Sequence, residues 1–290
     1  MSAAEPQDSQ RTEVCYRHPD RAAGVTCQRC DREICSDCMH TASVGFHCPE
    51  CTKNAKQKVY TTRNLPGNQA FVTKSLIALN VVVFLAAIPL ADATLFSDGR
   101  LAQEIAVNGR AIDEFGHWWR VITGGFGHFG LIHIGFNMYV LWWLGRSLER
   151  SLGPVVFVLA YFASLIAGSL GALIASPNAL TMGASGAVFG LMGLIVMHFR
   201  SRGIGLQESG FGRILFINLI ISLSGFVSLG GHAGGFLAGI VLGALFFGVN
   251  PGDGPIVKGR NAQIGVTIGL SIVLFAASLW AATTWVSPLF

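Results

Sequence analysis

Three strings set polar side chains inside long apolar runs: LIHIGFNMY with His133 and Asn137, TMGASGAVFG with Ser185, and GHAGGFLAG with His232. A lone ionisable or strongly polar side chain is costly in hydrocarbon, so one kept there, facing other helices, is a candidate for function. A hydroxyl such as that of Ser185 is a weak nucleophile, but an imidazole beside it can take its proton during attack and return it to a leaving amine. His133 and Asn137 stand one helical turn apart on a single face and suit donors to a developing oxyanion. The backbone N–H of Ser185, at a helix N-terminus, is a further donor. No acid is available to complete a triad. Beyond residue 120 the only acids are Glu149, Glu208 and Asp253, all expected in loops on the far side of a bilayer from Ser185. The residues therefore predict a Ser185–His232 dyad.

A second group lies near the N-terminus, in CYRHPDRAAGVTCQRCDREICSDCMHTASVGFHCPEC. It contains four ligand pairs with two residues between members: Cys15/His18, Cys27/Cys30, Cys35/Cys38 and Cys48/Cys51. Eight such ligands suit two tetrahedral zinc ions, whose binding would supply much of the folding free energy of so short a domain. His40 and His47 beside the last pair leave the final two ligands open. The charges of residues 15–51 are mixed, so no nucleic-acid face is expected. A structural module with a cytoplasmic protein partner is the simpler reading.

The elements that must position these groups follow from composition. The chain has 290 residues, 51% hydrophobic and 12% charged, too apolar for an ordinary soluble protein. Apolar runs recur at 75–90, 131–147, 154–175, 185–199, 212–229, 232–249 and 264–286, which predicts seven spans. The first is read as a span and not a cleaved signal peptide, because a Cys-rich, charged segment precedes it. Lys53, Lys56, Lys58, Arg63 and Lys74 precede the first run, Arg146 and Arg150 follow the second, Arg200, Arg202 and Arg213 follow the fourth, and Lys258 and Arg260 precede the seventh. This bias predicts a cytoplasmic N-terminus and an outer C-terminus. All seven cysteines then lie in a reducing compartment, and disulfides are not expected. The expected domains are residues 1–53 (zinc-binding), 54–70 (basic linker), 71–250 (six-span core) and 251–290 (loop and seventh span).

The second, fourth and sixth runs cross in the same sense, so His133, Ser185 and His232 fall at one depth near the outer face. Gly186, Gly190 and Gly193 mark one smooth stripe and Gly235, Gly239 and Gly243 another, which lets two backbones approach closely. Ser185 precedes one stripe and His232 lies about one turn before the other. Each feature alone has a plain structural reading, as helix packing or a polar bridge between helices. Their coincidence at one depth on three helices favours catalysis.

These strings resemble a rhomboid intramembrane serine protease: WWR at 118–120, GFGHFGLIHIGFNMYVLWWLGRSLERSLG at 125–153, GASGAVFG at 183–190 and GHAGGFLAG at 231–239. The resemblance covers roughly residues 71–250. It implies an all-α polytopic membrane protein with a rhomboid-like helical bundle of six core spans plus one, Ser185 as nucleophile, His232 as base, and His133 with Asn137 as the oxyanion pair. It implies single-span membrane proteins as substrates, cut near the outer face of the bilayer, no cofactor for catalysis, and a fifth span that moves as the substrate gate. Supporting positions are Gly183, Gly186, Gly235, Gly239 and Phe189, where many members carry Tyr; stacking on the histidine is expected to survive without the hydroxyl. His128 and the Trp119–Arg120 motif have family counterparts read as structural. The cysteine run resembles a B-box zinc finger, which implies Cys15, His18, Cys35 and Cys38 around one zinc and Cys27, Cys30 and the last pair around the other. The implied location is the plasma membrane of a bacterium. The rival expectations are a catalytically silent binder of membrane helices and a proton-relay transporter, which lacks membrane-embedded acids here.

Overall fold

The computed structural model describes residues 13–54, 70–90, 104–223 and 227–285. Most of the basic linker, residues 91–103 of the outer segment and residues 224–226 of the fifth run lie outside them. The chain divides into two compact units, Met1–Thr61 and Thr62–Phe290.

The first unit is built from pairs of two-residue to five-residue strands that carry cysteines at their ends. Strands β1 (Val14–Cys15) and β2 (His18–Ala22) pair antiparallel, as do β3 (Val25–Thr26) with β4 (Glu33–Ile34) and β5 (His40–Thr41) with β6 (Phe46–His47). A single turn of 3-10 helix, Ser36–Cys38, and helix α1 (Pro49–Asn54) complete it. Its core is Ile34 and the buried sulfurs of Cys15, Cys27, Cys35, Cys38 and Cys48. So little apolar surface cannot offset the chain entropy of folding by itself.

The second unit is helical. Long helices α2 (Phe71–Leu90), α5 (Gly130–Leu152), α6 (Pro154–Ala175), α7 (Ser185–Ser201), α8 (Phe211–Ser222), α9 (Leu229–Phe247) and α10 (Arg260–Trp285) follow the seven apolar runs, and short helices α3 (Gly109–Asp113) and α4 (Arg120–Thr123) lie between α2 and α5. Pro154 opens α6 at a first-turn position, where its missing N–H costs nothing. Asn108 caps α3 by accepting from Ala111 N–H, and Ser228 caps α9 by accepting from Gly231 N–H. Three helical segments, Pro154–Ala175, Leu229–Phe247 and Arg260–Thr284, are long and apolar enough to cross a bilayer; Phe71–Ala87, Ser185–Ser201 and Phe211–Ser222 are shorter apolar helices.

Helix α7 has 17 residues, a length of about 25 Å at 1.5 Å per residue, less than the roughly 30 Å hydrocarbon core. It is buried on all sides from Ala187 to Ile195, as a helix apolar all round must be. Helices α5, α6 and α9 pack against it, and α10 packs on α6 and α3. The glycine stripes explain the tightest of these contacts. A Cβ on Gly235 would stand 2.0 Å from the Gly186 carbonyl oxygen, and one on Gly239 1.9 Å from that of Gly190. A second close approach, between α6 and α9, was not foreseen: a Cβ on Gly171 would meet Gly230 O at 2.1 Å, and one on Gly234 would meet Ala167 O at 2.3 Å.

Two sequence expectations are corrected. The fifth run is expected to reach residue 229, but among the described residues its helix ends at Ser222 and Ser228 is already the N-cap of α9. Glu149 is not a loop residue: it is buried in the last turn of α5, where Oε1 accepts from Val72 N–H and Oε2 from the N–H and hydroxyl of Thr73. Its carboxylate satisfies the orphan N–H groups at the start of α2, an N-cap supplied by another helix.

Candidate active site

Ser185 is the first residue of α7, so its N–H has no acceptor within its own helix. The turn before it is stapled to the segment between α2 and α5. Thr181 bridges Val107, Gly183 N–H donates to Gly124 O at 2.9 Å, and Ala184 N–H donates to His128 Nε2 at 3.4 Å. His128 thus braces the turn. Gly183 has φ +135, and a Cβ there would sit 2.8 Å from the His133 ring and 3.6 Å from Ser185 Oγ, so both backbone and space require glycine.

A cavity of about 670 Å³ opens over this turn, and Ser185, His232 and His133 all line it. Asn137, Ser185, Phe189, Asn218 and His232 line a smaller recess. Helices α5, α7 and α9 therefore bring together the polar groups that their sequences carry at matching depth. His232 is 5% exposed, and its Nε2 is buried without a hydrogen-bond partner among the described residues. The Phe189 ring stacks on it, centroids 4.0 Å apart at 12°. A residue that sequence reasoning missed holds the other ring nitrogen: Ser222 Oγ on α8 lies 2.7 Å from His232 Nδ1. No spacing rule points to Ser222, because the contact joins two helices through the fold.

His133 Nδ1 accepts the Phe129 N–H at 3.2 Å, which leaves the proton on Nε2 and makes that atom a donor near Gly183. Asn137, 4% exposed, gives one amide N–H to the His133 carbonyl at 2.9 Å and keeps the other. Backbone N–H, imidazole N–H and amide N–H around a serine hydroxyl form a set able to stabilise an oxyanion.

In the first unit the eight sequence-predicted ligands form two groups, Cys15, His18, Cys35 and Cys38, and Cys27, Cys30, Cys48 and Cys51; within each, the donor atoms lie within 4.8 Å of one another. His18 Nδ1 is 3.8, 3.4 and 3.4 Å from the sulfurs of Cys15, Cys35 and Cys38. Tetrahedral bonds of about 2.0–2.3 Å to zinc require ligand separations of roughly 3.4–3.8 Å, so the donor set fits. His40 and His47 face each other across β5 and β6 outside both groups, and Cys48 and Cys51 close the second. Thiols this close cannot all ionise unaided. Burial and the Cys15 and Cys35 sulfurs push Cys38 up to about 11, and contact with Cys30 together with burial pushes Cys51 up to about 12. Burial also opposes ionisation of Cys15 and Cys27, but backbone N–H groups bring both down to about 6. A dication between the sulfurs would favour thiolate at every position.

Comparison with known proteins gives a family likeness for the helical unit. Residues 115–249 match the model of the rhomboid domain. The chain is similar to rhomboid protease GluP of Bacillus subtilis, 36% identical over 44% of this chain and 27% of that protein. It is similar to putative rhomboid protease YdcA of the same organism, 38% identical over 42% of this chain and 66% of that protein. It also resembles rhomboid-like protease 3 of Toxoplasma gondii, 35% identical over 43% of this chain and 50% of that protein. The chain thus spans between about a quarter and two thirds of the length of these relatives.

Proposed function

We propose, from the rhomboid domain that the chain carries over residues 115–249, that it is an intramembrane serine endopeptidase working through Ser185 and His232. One observation carries the reading: the buried, unpartnered Nε2 of His232 belongs to a cavity that Ser185 also lines. A buried imidazole nitrogen with no partner is costly unless its partner arrives with the reaction. His232 Nε2 takes the Ser185 proton as Oγ attacks the scissile carbonyl, and returns it to the leaving amine. The Ser185 N–H, His133 Nε2–H and the remaining Asn137 N–H stabilise the oxyanion.

The substrates are membrane proteins whose single span unwinds near the outer face, because a peptide bond must leave its helix before it can be attacked. Seven spans with a cytoplasmic N-terminus and an outer C-terminus complete the reading, on the strength of the Lys and Arg bias; a bacterial plasma membrane is the location that the family resemblance suggests. Cys15, His18, Cys35 and Cys38 bind one zinc, Cys27, Cys30, Cys48 and Cys51 a second, and the folded module presents a surface to a cytoplasmic protein partner. The catalytically silent alternative predicts no turnover. Purified chain in lipid vesicles with a transmembrane reporter separates the two: cleavage by wild type, lost in Ser185→Ala, supports the protease, whereas an intact reporter with wild-type chain contradicts it.

A further inference from the structure

Two histidines line the cavity, and His133 already has its proton assigned to Nε2 by the Phe129 N–H. His232 needs the opposite tautomer. A general base must carry its proton on Nδ1 so that the Nε2 lone pair is free, and in triad enzymes a carboxylate enforces this. Among the described residues no carboxylate lines the cavity. Ser222 instead lies against Nδ1 at 2.7 Å, and its Oγ lies 2.7 Å from the Asn218 carbonyl one turn earlier. A carbonyl can only accept, so the hydroxyl proton belongs to Asn218 O; otherwise two lone-pair-bearing oxygens would face each other. The remaining capacity of Oγ is as an acceptor, and Nδ1 must donate to it.

Resting on the Ser185–His232 reading, we propose that Ser222 is the positioning residue of the dyad: by accepting from His232 Nδ1–H it fixes the tautomer whose Nε2 lone pair receives the Ser185 proton. When Nε2 gains that proton, both ring nitrogens carry hydrogen, and the Nδ1–H bond to Ser222 strengthens because its donor is now charged. The relay runs from His232 to Ser222 to the Asn218 carbonyl, and no proton leaves Ser222. Phe189 holds the ring plane from one side while Ser222 fixes its in-plane rotation. The tie also crosses helices. Helix α8 fully buries only Phe211, Asn218 and Ser222, so two of its three buried residues serve the imidazole.

The test compares wild type, Ser222→Ala and Ser222→Thr of the full chain in lipid, with the thermal midpoint of each as a check on folding. Ser222→Ala is expected to lower kcat about 10- to 100-fold, the scale of one hydrogen bond to a charged group, with KM changed less than about threefold. Ser222→Thr, which keeps the hydroxyl, restores most of the loss. In 15N-histidine spectra the His232 signal of wild type reports an Nδ1-protonated ring, and Ser222→Ala shifts it toward the other tautomer. Unchanged kcat and an unchanged His232 signal in Ser222→Ala overturn the proposal while Ser185 reactivity stands. Wild type that takes no serine-directed label overturns the dyad itself, and the 15N spectrum still decides the tautomer.

Discussion

Ser185 and His232 depend on side chains that hold them as much as on their own chemistry. Phe189 presents a flat face to the imidazole without a hydroxyl to bond it. An aromatic pair contributes roughly 0.5–1.5 kcal/mol beyond burial, so Phe189→Leu is expected to lower kcat by about 2- to 10-fold in a reporter assay, with Phe189→Tyr near wild type. A Leu variant as active as wild type would remove Phe189 from the site. Gly183 is stricter, since any Cβ there would press on the His133 ring. Ser185 and His232 could be singled out in the sequence because polar atoms among apolar neighbours are rare and need a reason, whereas Phe189 and Gly183 came only with the family resemblance. Ser222 was not legible: a serine one turn after an asparagine on a short helix is common, and only tertiary packing brings it to His232.

At the scale of helices, the stripe spacing predicted that α7 and α9 touch, and the backbone approach at Gly190 and Gly239 bears this out. Overpacking a tight contact costs about 1–3 kcal/mol, so Gly239→Ala is expected to lower the thermal midpoint measurably. Gly269→Ala, where a Cβ meets nothing within 4 Å, is expected to be neutral or stabilising by up to about 1 kcal/mol; equal effects of the two would contradict the packing. The Glu149 cap on α2 was invisible in sequence, because an acid near the end of one helix gives no sign that it caps another. Replacing one of its oxygens with an amide NH2 turns a donor toward the Val72 or Thr73 N–H, and Glu149→Gln is expected to cost about 2 kcal/mol in denaturant titration. Helix α8 exposes Phe216, Ile217, Leu219 and Ile220, so few contacts hold its middle in place, while Ser222 at its end keeps the tie to His232. A cross-link between cysteines placed at Phe136 and Ile221, both in the cavity wall, is expected to slow reporter cleavage until it is reduced.

The molecule joins a small unit whose eight Cys and His donors could hold two metal ions to a helical one. The pairing of eight candidate ligands was legible because a tetrahedral metal site favours a fixed spacing of its donors. The choice of Cys48 and Cys51 over His40 and His47 needed the fold, since all four residues lie within a few positions of one another. Native mass measurement of the full chain is expected to count two zinc ions, and one in Cys38→Ser; a wild type with a single ion would contradict the grouping. Removing residues 1–68 is expected to leave reporter turnover by the remaining helices intact, because every group around Ser185 lies in the second unit. The most direct measurement on the dyad is mass mapping of the adduct left by a serine-directed fluorophosphonate on the chain in lipid. The expected result is one adduct on Ser185, absent in Ser185→Ala and strongly diminished in His232→Ala; labelling that is missing from wild type, or indifferent to His232, would contradict it.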